Sequence, residues 1–477
     1  MRFHEGFRPW APRVAPLVFS LSMAGNLVWG QMICSPISPP GLLPNEENYS
    51  DLRNPARRTN LADKLHYLPL GEQERSYLTL GGEAREWYEF FSHPDFGEGP
   101  DVPNGYLLQR FWVHADLHLG SHLRLFGEMG SDLEEGRKGG PRPQVDEAKM
   151  LIQQAFVDFS LSQTQNSSLT VRVGRQEMEL GSGRFVDVRE GPNVRQSFEG
   201  LKMTACTAGW RVDLIALKPI NDLPGFFASR PFYHTSFWGS YATHPIPKIA
   251  GGHADLYYFG FRQLESIYDQ GAGRELRHTL GSRVFGRRGQ WDYDEEAAYQ
   301  FGSLGRGNIR AWMADTNTGY REPGWRWKPR FGLRTDATSG DKNPKSLNLE
   351  TFNPLFPILR FSPGQEGTIA PANLLDAHPE VDLHPRSNIL VTFDSDLLWR
   401  QSLYDGLYLP GPVLVFSGLN SHARYVGDKN GLEIDCFFNH HISYSIYYSS
   451  LLGGPFLRQS NLAHVVNYIA SWIQFNL

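Results

Sequence analysis

The sequence predicts an all-β protein, a transmembrane antiparallel β-barrel of the outer-membrane type with 18 strands. Three observations predict it. From residue 77 to 477, segments of roughly ten residues alternate polar and apolar positions between clusters of Gly, Pro, Asn and Asp, which is the signature of long half-exposed strands and not of 3.6-residue helical stripes. Past the N-terminus no stretch approaches the ~18–20 apolar residues of a spanning helix, yet the first thirty residues read as an export signal. Finally, of 477 residues 40% are hydrophobic and 13% aromatic, with 48 glycines, a balance in which an alternating membrane face hides inside a polar average.

The elements follow in order. Arg2, Arg8 and Arg13 precede an apolar run through Val14, Leu17, Val18, Phe19, Leu21, Met23, Leu27 and Val28, the layout of a secretory signal peptide covering 1–30, with cleavage after Gly30. Residues 31–76, rich in Pro and Asn, read as an N-terminal periplasmic linker segment or as a segment packed on something else. The barrel occupies 77–477. In residues 106–120 the phase Leu107, Phe111, Val113, Ala115, Leu117, Leu119 is apolar and opposes Arg110, Trp112, His114, Asp116 and His118. In residues 388–401, Asp394, Asp396 and Arg400 oppose Val391, Phe393, Leu397 and Trp399; in 329–340, Arg330, Arg334 and Asp336 oppose Phe331 and Leu333. Arg277, Thr279 and Arg283 share a further face. Successive strand side chains point to opposite sides, so one phase faces lipid and the other a charged lumen. A soluble sandwich would turn the charged phase to solvent, but strands of about 12–15 residues exceed the usual ~5–6. The outward phase of Val465, Ile469, Ile473, Phe475 and Leu477 also suits a closing membrane strand.

About 17 strands are countable, and an even number is required of a bacterial barrel. Placing an overlooked strand between Lys218 and His253 gives 18 and puts the long irregular segment 339–386 on the periplasmic side, where it would act as a plug.

A net charge of −5 leaves no basic excess for nucleic acid. Cys34, Cys206 and Cys436, odd in number and outside any CxxC spacing, read as unpaired. Residues 339–344 (SGDKNP) offer oxygens to calcium, though a turn made by Asp341 and Asn343 accounts for them better. His440 and His441 read as a turn, and Glu295 and Glu296 as a charged wall or rim. No cofactor is expected.

The string VRVGRQEMELGSGRFVDVREGPNVRQSFEGLKM (171–203) closely resembles the signature of the alginate-export outer-membrane porin family, in which a GRQ strand end leads into GSGR…REGPNVR. Further matches run in order: GGEAREWYE from Gly81, LLQRFWVHADLHLG from Leu107, RHTLGSRVFGRRGQWDYDEEAAYQFG from Arg277, RFGLRTDATSGDKNP from Arg330, TFNPLFP from Thr351, ANLLDAHPEVDLHP from Ala372 and SNILVTFDSDLLWRQS from Ser387. The resemblance implies an 18-stranded barrel in the outer membrane of a Gram-negative-type bacterium. Through it an anionic, alginate-like polysaccharide would leave the periplasm passively, past an electropositive constriction and without catalysis. It implies outer-membrane lipid, the polysaccharide and periplasmic secretion proteins as partners of a monomeric barrel. A diffusion or uptake porin for small acidic solutes is the alternative. Arginine suits either cargo, being always charged and able to fork onto carboxylates. Arg85, Arg110, Arg124, Arg283, Arg330, Arg334 and Arg400 are the pore-lining candidates from strand phase, Arg184, Arg189 and Arg195 from the family likeness, with Asp336, Asp394 and Asp396 moderating them. Arg175 falls in the outward phase unless a bulge turns it. Trp87 and Glu86 stand where relatives commonly carry a basic and an apolar residue.

Overall fold

The computed structural model describes residues 43–71, 76–97, 102–164, 166–249, 251–358, 367–460 and 464–477, so the signal peptide lies outside the described residues. Eighteen antiparallel strands pair edge to edge: β1 (Ser76–Phe91), β2 (Asn104–Leu119), β3 (Leu123–Glu135), β4 (Ala148–Gln163), β5 (Ser167–Gln176), β6 (Phe198–Thr207), β7 (Trp210–Asn221), β8 (Thr235–Ile246) and β9 (Gly252–Tyr268) form one half. The other half is β10 (Gly271–Arg288), β11 (Trp291–Leu304), β12 (Gly307–Arg321), β13 (Arg330–Thr338), β14 (Leu374–Arg386), β15 (Ile389–Arg400), β16 (Tyr425–Phe437), β17 (Ile442–Gly453) and β18 (Val466–Asn476). The last strand pairs back on the first, from Glu83 opposite Asn476 to Phe91 opposite Tyr468, so the barrel closes and no strand edge is left unpaired.

The side-chain alternation places the phases as the sequence predicts. Phe111, Val113, Phe331, Leu333 and Phe393 are exposed on the outer wall, whereas Arg110, Trp112, Arg334, Asp396 and Arg400 are buried inside. Exposed Trp210, Trp291, Trp325 and Trp327 lie at one end of the barrel, as the aromatic girdle of a membrane wall requires. That end carries mostly tight turns, and there Leu477 donates to and accepts from the backbone of Gly82. Short turns mark the periplasmic end and long loops the outer end. Three of the long outer loops send buried side chains into the barrel, from their described residues 177–197, 339–358 with 367–373, and 401–424. Phe185, Phe352 and Phe356 from the first two pack with Phe198, Phe237, Tyr257 and Phe259 of the wall, and burial of rings of this size is the dominant stabilising term.

The expectation for 339–386 is corrected here. Leu374–Arg386 is the strand β14, and the loop before it lies at the outer end, not on the periplasmic side. Pro379 hid the strand: the β14–β15 ladder runs from Ala377 opposite Leu397 to Glu380 opposite Asp394 and skips the positions around Pro379, which has no N–H to give. A strand does lie between Lys218 and His253, namely β8, but it is β14 that sets the parity. The described part of the N-terminal segment is packed on the barrel, the second of its two readings. Three short 3-10 turns, the helix α1 (Leu61–His66) and a strand Leu68–Leu70 paired with Leu78–Ser76 precede the barrel. Cys206 is disulfide-bonded and Cys436 free, which corrects the expectation that all three cysteines are unpaired; oxidation is the normal fate of paired thiols outside the cytosol.

Candidate functional site

The loop 177–197 turns into the barrel because its GSGR sequence permits backbone angles that other residues avoid. Gly181 has φ +66°, and a Cβ there would stand 2.0 Å from the Tyr241 hydroxyl of the wall. The loop is then fastened by charge. Arg85 donates to the Glu190 carboxylate (2.9 Å) and to the Pro192 carbonyl (3.1 Å). Arg110 reaches Glu190 (2.7 Å), Glu83 (3.0 Å) and the Asn193 carbonyl (2.7 Å). Arg195 pairs with Glu177 (2.8 Å) and Glu190 (3.2 Å). Asn193 donates through one amide to the carbonyls of Gln109, Leu133 and Asp146. Burial alone would raise the Glu190 pKa, but the guanidiniums of Arg110, Arg195 and Arg85 outweigh it and hold the carboxyl at about 2. A bulge at Gln153, between the pairs Glu128–Gln154 and Met129–Ile152, turns both glutamines inward; Gln153 donates to Glu177 (2.7 Å) and to the Arg195 carbonyl (3.1 Å). Arg85, Arg110 and Arg195 thus sit inward, as expected, but beneath the loop and in ion pairs with Glu190.

All but one of the remaining inward arginine candidates from strand phase and the inward loop, Arg189 aside, are neutralised by carboxylates. Arg124 forks onto Asp116 (2.7 and 2.8 Å) and touches Asp158. Arg184 pairs with Glu296 (2.9 Å), Asp294 and Asp315. Arg283 holds Asp294 (2.6 Å) and Asp255 (3.2 Å), and Arg330 holds Asp292 (2.7 Å) and Glu380. Arg334 meets Asp336 (3.1 Å), Asp376 (3.5 Å) and Asp396 (3.6 Å). Asp394 lies 3.9 Å from His378. Arg400 makes no carboxylate contact among the described residues and instead donates to the carbonyls of Leu403, Asp405, Gly418, Ser421 and Ala423, caging the loop 401–424. Which partner is more accessible varies along the wall: the Arg330 side chain is 10% exposed against 20% for Asp292 and 25% for Glu380, whereas Arg124 is 16% exposed against 6% for Asp116. The expected electropositive wall is therefore a wall of ion pairs, because the same inward phases carry Asp292, Asp294, Glu296, Asp376, Glu380 and Asp382 on strands whose arginines are few.

Arg189 differs. Its backbone is left-handed (φ +58°), which throws its side chain away from the Glu190 cluster. Among the described residues its guanidinium forms no ion pair, its Nε is buried without a partner, and burial pulls its pKa down to about 10 with only Asp187 opposing. It lines a cavity of about 210 Å³ at the outer end, together with Arg137, Arg142, Arg195, Tyr106 and Asn104. Arg142 is engaged with Asp146 (2.8 Å) and Glu89, and both loop arginines lie over the Tyr106 ring. Sequence reasoning missed Arg137 and Arg142, whose loop shows no alternation, and missed Glu190 as the hub although it stands inside the REGPNVR string.

Other expectations resolve locally. Asp341 accepts from the Asn343 amide (2.8 Å), the turn anticipated there. Glu296 points inward to Ser182 and Arg184 while Glu295 bonds Thr318 outside, so they form no acid pair. His440 and His441 fall in the β16–β17 turn. Arg175 keeps the outward phase and pairs with Glu199 (3.3 Å); Trp87 points inward and stacks on Trp472 (4.2 Å). Asp376, His378 and Asp396 lie close enough together to ligate an ion, but the Lys429 ammonium, 2.7 Å from Asp396, and Arg334 already occupy that space.

Solved structures share this architecture. OpdK of Pseudomonas aeruginosa, solved with vanillate, superposes with a TM-score of 0.55 at 11% identity, over 86% of this chain and 99% of that one. A BenF-like porin from Pseudomonas fluorescens Pf-5 gives 0.55 at 12% identity, over 84% and 98%. Pseudomonas aeruginosa OccK11 (OpdR) gives 0.53 at 14%, over 86% and 98%. At such identities the likeness is one of fold. No curated protein matches the sequence. The alginate export family profile, by contrast, matches residues 76–469, from the first strand of the barrel into the last, and with the closed wall, the girdle and the inward-folded loops on the same stretch, the chain is an outer-membrane β-barrel channel belonging to the alginate export family.

Proposed function

We propose that this channel passes an anionic, alginate-like polysaccharide outward by passive diffusion, with Arg189 as the group that engages its carboxylates. The observation that carries the reading is the Arg189 guanidinium, half-buried at the outer end with its Nε enclosed, in no ion pair among the described residues, and lining a cavity. A partly desolvated cation that no carboxylate bridges, with only Asp187 nearby, gains from an incoming carboxylate. The ion pairs along the wall serve the same traffic, since a polymer carboxylate can displace an aspartate and then yield to it, giving many weak contacts and no tight trap. Planar-bilayer recordings test this. Arg189→Ala should lower anion over cation selectivity and weaken block by oligouronates while the barrel keeps its unfolding temperature; unaltered selectivity and block would reject the assignment.

A second reading, uptake of small acidic solutes, is favoured by the size of the cavity, which suits one acid molecule better than a polymer segment, and OpdK was solved with vanillate. Deletion of the protein separates the two: loss of secreted polysaccharide supports export, and loss of growth on small carboxylates supports uptake.

A further inference from the structure

We infer that the outer face of the wall carries a site for a phosphorylated lipid of the outer leaflet, with an acyl chain in a groove beside residues 225–229 and the phosphate on Arg175 and Lys218. The groove arises where a ladder ends. β4 and β5 pair outward only as far as Ala155 opposite Arg175, because the chain then turns inward into 177–197. β4 runs on to Ala148, and the segment after β7 takes up the vacant edge. There Met150 donates to the Gly225 carbonyl (3.2 Å) and Phe227 donates to the Met150 carbonyl (2.7 Å). Between this borrowed edge and the ladders below lies an opening of about 630 Å³, lined by Ile152, Val173, Leu201, Ala216 and Phe227. Ile152, Val173, Leu201 and Phe227 all stand exposed, and Val173 and Leu201 lie in the outward phase of their strands, so the opening faces lipid and not the lumen.

Charge sits above the apolar floor in the order a lipid requires. Across β5, β6 and β7, Val173 faces Leu201, which faces Ala216; two residues nearer the outer end, Arg175 faces Glu199, which faces Lys218. Two strand residues span about 7 Å, so the charged row stands one step above the apolar row on the same face. Arg175 secures the end of the ladder by donating to the Ile152 carbonyl (2.9 Å), and it shares Glu199 (3.3 Å). Lys218 forms no ion pair among the described residues, and its ammonium stands 5.3 Å from the centre of the Tyr233 ring. The row thus holds two cations and one carboxylate. A lysine on a lipid-facing wall is costly unless it reaches a headgroup, and a phosphate there would meet ammonium and guanidinium together. Beneath the lysine, the outward phase of β7 shrinks from Trp210 and Leu214 to Ala216, which leaves room for a chain. Phe227, which lines the same opening, holds φ +52°, a conformation that bulky residues avoid and that marks ligand-contacting segments.

The test uses the full-length barrel in detergent, stripped of bound lipid, with a bisphosphorylated, multiply acylated glycolipid as the probe and native mass spectrometry as the readout. One probe molecule should stay bound per barrel. The same glycolipid without its phosphates, and a zwitterionic phospholipid, should each be retained roughly ten-fold less. Lys218→Glu should lower occupancy by the phosphorylated probe roughly ten-fold through charge, and Ala216→Trp should do the same by filling the floor. Leu256→Trp, on the outer face of β9 and away from the groove, should leave occupancy unchanged. Heat-modifiable gel migration shows whether each barrel is folded; if either variant is not, Lys218→Gln and Ala216→Leu make the same comparison. Occupancy by the phosphorylated probe that is the same in the charge and floor variants as in the unaltered protein overturns the site. Equal retention of the dephosphorylated glycolipid or of the phospholipid overturns it as well, since either would reduce the groove to ordinary lipid contact.

Discussion

Replacing Glu190 by Gln removes the one carboxylate shared by Arg85, Arg110 and Arg195 and nothing else of its shape. The carboxyl is held at about 2 against its ordinary 4.5, which corresponds to interactions worth on the order of 3 kcal/mol, in line with the ~3–5 kcal/mol for breaking a buried ion pair. The loss falls on the docking of 177–197, because the barrel strands keep their ladders and Arg110 keeps Glu83. Local opening of the loop should therefore become roughly a hundred-fold more frequent. The reporters are the amides of Val194, bonded to the Val145 carbonyl (2.9 Å), and Gln196, bonded to the Val188 carbonyl (2.7 Å). Hydrogen exchange of a peptide spanning 188–197 should accelerate by that factor, while peptides from β2 and β10 stay protected. Exchange at Val194 and Gln196 indistinguishable from the unaltered protein would refute the hub.

Two further outcomes are expected. Arg400→Leu takes a donor from five loop carbonyls, of which that of Asp405 keeps Asn373 and that of Gly418 keeps the Ser421 amide; each carbonyl left bare costs about 1–3 kcal/mol where water cannot reach it, so the segment 401–424 should become the first site of limited proteolysis, and a digestion pattern like that of the unaltered protein counts against the cage. Burial, with a contribution from His441, lowers the His66 pKa below 6.5 against the pull of Asp63 and the Leu477 backbone, and His114 also faces the ring. The undocked helix α1 then binds the proton more tightly, so its packing on β1 is complete above about pH 6.5 and weakens as the pH falls below that; the hydrogen-exchange protection of a peptide spanning 61–70 should fall reversibly toward pH ~5, and an equal fall in His66→Gln would assign it elsewhere.

The wall was legible from alternation alone. Phe111 against Arg110 and Leu333 against Arg334 need only the two-residue period of a strand, and the structure places each on the expected side. What alternation does not carry is register. Arg283 finds Asp255 on one neighbour and Asp294 on the other, and no local pattern announces which residues of adjacent strands face each other, so the arginines were visible and their neutralisation was not. The strand β14 escaped because proline breaks the ladder where the pattern is sought. Arg189 and Glu190 are adjacent and equally prominent in the sequence, yet a single left-handed residue sends one to the wall of a cavity and the other to three guanidiniums; that depends on backbone angles which only the folded loop exhibits.

The seam between β1 and β18 has a consequence for how the protein comes into being. Glu83 meets Asn476 and Phe91 meets Tyr468, partners separated by most of the polypeptide, so the ring cannot shut until nearly all of it has been synthesised and exported. Until then two strands present bare amides and carbonyls, an adhesive border that would recruit any other unfinished sheet nearby. Long-range closure of this kind is slow. A lesion in β18 would therefore strike biogenesis before conductance: a variant weakened at Trp472 or Ile473 should accumulate as degraded or aggregated periplasmic material, and the pores that do mature should pass current normally.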